Sequence, residues 1–138
     1  MGKKKNLIKP VVVPKGISQK EIDSFARVNY PLFSFKYLTN VSIKNCRDGS
    51  FFSEFLLRLK KLSELGWKGI ATSDRHSFGM EKITQESIKH AIPSSITPEV
   101  PLFAFRATGN NLPFVGFLEG KVFHIVFIET EFGDIYDH

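Results

Sequence analysis

KVFHIVFIETEFGDIYDH, residues 121–138, is an apolar segment of strand length followed by an acidic, aromatic end. Within it, Phe123, Ile125 and Phe127 alternate with Val122, His124, Val126 and Ile128. Successive side chains of a strand point to opposite faces, so both faces of Val122–Ile128 are apolar. A strand of that kind belongs in the interior of a sheet rather than at its edge. Because Tyr136-Asp137-His138 follows this strand closely, that end is expected to be held near the sheet, as a structural clasp or as part of a site.

Working back toward the N-terminus, Glu119-Gly120 reads as a tight hairpin turn and Phe114–Leu118 as the preceding strand. Gly116 inside it marks a bulge or a close backbone approach. Gly109-Asn110-Asn111 is a further turn signal, and Leu102–Ala107 is the strand before it. Three consecutive strands with short turns predict an antiparallel meander. Further upstream, Leu32–Leu38 alternates and is rich in aromatic residues, so it reads as a strand. Asp48-Gly49-Ser50 offers helix-capping chemistry, and Phe51, Phe52, Phe55, Leu56, Leu59, Leu62 and Leu65 recur at steps of three and four. That spacing predicts one amphipathic helix, ended by Gly66 in a left-handed conformation. Residues 68–83 read as irregular, and residues 84–91 as a second, short helix stopped by Pro93. The expected fold is α+β: one amphipathic helix plus a short helix packed on a twisted antiparallel sheet with a C-terminal three-stranded meander.

At 138 residues the chain is expected to hold one folded domain, residues 28–138, behind a basic arm, residues 1–27. The arm carries seven lysines and arginines against two acids, whereas the remainder has twelve of each. It reads as partly disordered or extended, with a possible short helix over 18–27 where Ser18 and Glu21 form a capping box. Such an arm suits a polyanion, and it equally suits a solubilising tail. No apolar stretch reaches the roughly eighteen residues of a membrane span. The Val11-Val12-Val13 run is too short for a signal-peptide core. The single cysteine, Cys46, fits a reducing compartment, so a cytoplasmic protein without membrane partners is expected.

Cys-Cys metal pairs, a nucleotide-binding glycine loop and a G-x-S-x-G elbow are missing from the sequence, and no two of the four histidines have H-x-x-x-H spacing. No metal or cofactor is therefore expected. Residues 74–82, DRHSFGMEK, bring together Arg75, His76, Glu81 and Lys82 around a glycine. Arg106 alternates with Phe103 and Phe105, so it points away from the face those two share and has the geometry to grip a phosphate. His124 reads as a hydrogen-bonded core residue or a catalyst. Tyr136 and His138 line a site beside it, or Tyr136 caps the core. RNA cleavage by side chains alone needs a base for the 2′-hydroxyl, a cation for the phosphorane and an acid for the 5′-oxygen. His76 or Glu81 as base, Arg75, Arg106 and Lys82 as phosphate ligands, and His138 or His124 as acid, with Tyr136 alongside, supply that set.

The strand–helix–meander order, with Phe103–Arg106, Pro113–Glu119 and Val122–Ile128 as the meander and Tyr136-Asp137-His138 at the late aromatic/histidine position, resembles the RelE/ParE-like toxin superfamily. The segments PLFSFKYL (31–38), RHSFGME (75–81), IPSSI (92–96) and FHIVFIE (123–129) are similar to a family of short proteins from bacterial genomes and mobile elements. The first resemblance implies a metal-independent endoribonuclease, the toxin half of a toxin–antitoxin pair, with RNA or the ribosome as target and an antitoxin protein as partner. The alternative is a non-enzymatic binding protein, a phage- or plasmid-encoded inhibitor or adaptor that docks through its basic arm. The oligomeric state is not legible.

Overall fold

The computed structural model describes residue 16, residue 20 and residues 27–74, 77–108 and 112–138. The expected capping-box helix, Arg75, His76 and the Gly109-Asn110-Asn111 turn thus lie outside the described residues, as does nearly all of the basic arm. In chain order the elements are β1 (Leu32–Ser34), α1 (Asn40–Asn45), α2 (Gly49–Ala71), β2 (Glu81–Ile83), a 3₁₀ turn (Gln85–Ser87), β3 (Leu102–Arg106), β4 (Pro113–Glu119) and β5 (Val122–Ile128). The five strands form one sheet in the order β1-β5-β4-β3-β2. The architecture is α+β, but the sheet is mixed rather than antiparallel. β1 runs parallel to β5, with Leu32 opposite Val122 and Ser34 opposite His124. The strands β2 to β5 pair antiparallel in succession. β5 is interior, as its two apolar faces require, and β4 occupies the middle.

Other readings are also corrected. The strand expected over residues 32–38 is only three residues long, and Phe35 to Thr39 turn the chain into α1. The short helix expected over 84–91 is a single 3₁₀ turn, because Ile88 takes an extended conformation (φ −74°, ψ 129°) and pairs with Tyr136. Residues 68–83 are not wholly irregular: Lys68 to Ala71 are helical and Glu81 to Ile83 form the edge strand.

Asp48 caps α2 by accepting from Ser50 N at 2.9 Å. Gly66 (φ 76°, ψ 168°) breaks the helix in a conformation that glycine alone adopts readily, and Trp67 N then donates to Asn29 O at 3.1 Å. Phe51, Phe55, Leu59, Leu62 and Ile70 of α2 are buried against Phe105, Phe114, Phe123, Ile125 and Ile128 on one face of the sheet. Phe52, Leu56 and Leu65, assigned to the same helix face from their spacing, are exposed instead. The opposite face, Leu102, Ala104, Val115, Val126 and Phe127, is covered by Ile96 and by Ile135 and Tyr136 of the C-terminal segment.

The sorting of β5 side chains departs from simple alternation. Val115 faces Phe127 but Gly116 faces Ile125, so β5 carries one extra residue at Val126. This bulge turns Phe127 to the face of Val126 and Ile128 to the face of Phe123. Thr39 stabilises it, since its N and Oγ1 both donate to Val126 O at 3.0 Å. Ile128 N donates to Ser42 Oγ at 2.9 Å, so α1 takes over the β5 edge where β1 stops. Gly116 is the expected close approach: a Cβ there would overlap the backbone carbonyl oxygen of His124.

Candidate active site

β2 and β3 set one wall of a cleft of about 350 Å³ lined by Glu81, Ile83, Thr84, Ser87, Arg106, Tyr136, Asp137 and His138. Glu81 and Ile83 share a strand face, and Lys82, which alternates with them, is exposed on the other side. Arg106 ends β3 on the same face as Ala104, next to Glu81's register partner. The opposite wall is the C-terminal segment. Ile88 and Tyr136 form an antiparallel bridge, and Lys89 N donates to Ile135 O at 2.8 Å. Lys89 Nζ bonds Gly133 O and the Asp137 carboxylate, each at 2.7 Å, and His90 Nε2 meets Asp134 O at 3.0 Å. The end is therefore stitched to residues 88–90 while its side chains line a cavity.

Tyr136 is 5% exposed, and its buried hydroxyl has no hydrogen-bond partner among the described residues. A buried polar group without a partner is uncommon and calls for an explanation such as a ligand or water. Burial, then the Glu81 carboxylate, push the phenol up to about 12; Arg106 opposes and Glu129 adds to the rise. The hydroxyl is thus a neutral donor at ordinary pH, with Glu81 and Arg106 near enough to act on it electrostatically.

His138 is held from three sides. Its ring stacks on Tyr136 (centroids 4.5 Å apart) and Phe132 (4.3 Å), and Nε2 donates to Glu129 Oε1 at 2.6 Å. Glu129 is fully buried, and its Oε2 accepts from Ile135 N at 2.9 Å. A carboxylate that holds one ring nitrogen fixes the orientation of an imidazole, leaving Nδ1 for proton transfer. Glu129 was not singled out from the sequence. The available signal was an acid that directly continues an apolar strand.

The structure therefore brings together Glu81, Arg106, Tyr136 and His138. His124 lies elsewhere on β5, packed by Phe117 and Tyr37 at 4.9 and 5.0 Å, with Nε2 on Glu119 Oε1 at 2.8 Å. It does not line the cleft. Among the described residues no group of three or more His, Cys, Asp or Glu is placed to hold a metal ion. No helix among them is long and apolar enough to cross a membrane. No protein-family model, curated protein or solved structure matches the chain, so these comparisons lend no support to the toxin resemblance.

Proposed function

We propose that the cleft cleaves RNA by acid–base chemistry of its own side chains, an endoribonuclease activity of the RelE-like kind. The convergence of Glu81, Arg106, Tyr136 and His138 from three separate segments carries this reading. In the proposed reaction Glu81 accepts the proton of a 2′-hydroxyl, and the oxygen attacks the adjacent phosphorus. Arg106 and the Tyr136 hydroxyl bind the phosphoryl oxygens as charge accumulates on them. Protonated His138 gives its Nδ1 proton to the departing 5′-oxygen. The products are a 2′,3′-cyclic phosphate and a 5′-hydroxyl, so every proton is accounted for. Part of the acidic charge of the C-terminal segment is matched within the protein: Asp137 pairs with Lys89 at 2.7 Å, and Glu129 holds His138 at 2.6 Å.

The test is end-labelled single-stranded RNA incubated with the purified protein, with and without EDTA. Cyclic-phosphate ends formed at the same rate in both are expected. Arg106→Gln should lower kcat/KM about a hundredfold or more, and His138→Ala about a hundredfold or more. Intact RNA in the presence of folded protein overturns the reading. The toxin role is read separately: expression should arrest growth, and Arg106→Gln should relieve the arrest.

A further inference from the structure

A second cavity, of about 360 Å³, lies on the α2 side of the sheet and shares no residue with the cleft. Phe55 and Leu59 form its buried floor. Its rim leaves Phe35 52%, Ile43 55%, Phe52 39% and Leu56 68% exposed. Phe52 and Leu56 are one helical turn apart, the stripe beside the buried face of α2. A contiguous exposed apolar surface of this kind marks an interaction site far more often than isolated apolar residues do. Charge indicates what covers it. The segment 39–47, which supplies Ile43 and Cys46 to the groove, carries Lys44 and Arg47 and not one acid, while Lys36 turns away over the Tyr37 ring. On the α2 side, Asp48 accepts from Ser50 at the helix start, and Glu54 lines a different hollow with Leu57, Arg58 and Lys61.

We propose that this groove binds an acidic amphipathic helix of a partner protein. Its apolar residues at i, i+3 or i+4, and i+7 enter the groove, and its flanking carboxylates face Lys44 and Arg47. This interaction is independent of RNA cleavage. The test uses the full chain and three fluorescent peptides. One is a helix of about 15 residues with leucines on one face and glutamates on its flanks; the second has lysines for the glutamates. The third is the chain's own residues 1–15. The glutamate helix is expected to bind at least about tenfold more tightly than either other peptide. Leu56→Asp and, separately, Ile43→Asp should each weaken it at least about tenfold while melting near the parent temperature, since both side chains are exposed. Equal or tighter binding of the lysine helix or of residues 1–15 overturns the proposal. So does failure of the folded protein to bind the glutamate helix, or self-association that Leu56→Asp abolishes.

Discussion

Tyr136 separates function from stability in one side chain. Its hydroxyl is buried without a protein partner, so removing it costs no hydrogen bond within the described structure. Tyr136→Phe should leave stability unchanged or raise it by up to about 1 kcal/mol, measured by urea denaturation. The same change should slow RNA cleavage about tenfold to a hundredfold, as expected for one lost donor to the phosphate. The raised phenol also has a pH signature. A tyrosine in an unfolded chain titrates near 10, and Tyr136 in the fold at about 12. Between those values the unfolded chain has lost a proton that the folded chain retains, so stability falls as pH rises from about 10 to about 12. Below that window the contribution is fully present. The fall between pH 9 and 11.5 should be smaller in Tyr136→Phe than in the parent. Gly116 depends on shape instead. Because a Cβ there would meet the backbone of β5 rather than a movable side chain, Gly116→Ala should cost at least about 2 kcal/mol.

Among the elements, the bulge in β5 governs most of the site. It places Val126 and Phe127 on one face and Ile128 on the other, which brings Glu129 back under the C-terminal segment, where it holds His138. Ser42 accepts from the buried Ile128 N–H just past the bulge. Ser42→Ala leaves that donor without its acceptor and should cost about 1–3 kcal/mol in thermal or urea unfolding. It should also disturb His138, visible as a change in the histidine ring resonances by NMR. The elements that could be read from sequence were those long enough to show a pattern: α2 through its steps of three and four, and β3 to β5 through apolar runs of strand length set off by turn signals. β2 is three residues with two charges, and α1 is six residues without an apolar stripe; neither has room for a pattern. The bulge is a two-strand property: Gly116 marks its place in β4, but the extra residue, Val126, is carried by β5 and shows only in the pairing. Glu129 carried no mark in the sequence because its burial depends on His138 and Ile135 N, partners that only folding brings to it. Glu81, Arg106, Tyr136 and His138 could be named from their chemistry, but only pairing of β2 with β3 and of Ile88 with Tyr136 brings them together.

For the molecule as a whole, the parallel contact of β1 with β5 joins the two ends of the described core. Phe33 meets Phe105, Phe114 and Phe123 in edge-to-face contacts with centroids 6.0 to 6.3 Å apart. β3, β4 and β5 follow one another closely in the chain, but β1 must find a partner that is distant in sequence. Such non-local contacts form late, because loop closure precedes their gain. Phe33→Ala should therefore cost about 2–3 kcal/mol, expressed in stopped-flow kinetics mainly as faster unfolding with a nearly unchanged folding rate.

The same strand order has a consequence for biosynthesis. A ribosome releases β1 and the greasy side of α2 long before it makes the strands that cover them. Until Val122–Ile128 clears the exit tunnel, the nascent polypeptide displays Phe51, Phe55, Leu59 and Leu62 to chaperones at the ribosome. Chaperone occupancy on translating polysomes should accordingly persist until β5 emerges and then drop sharply.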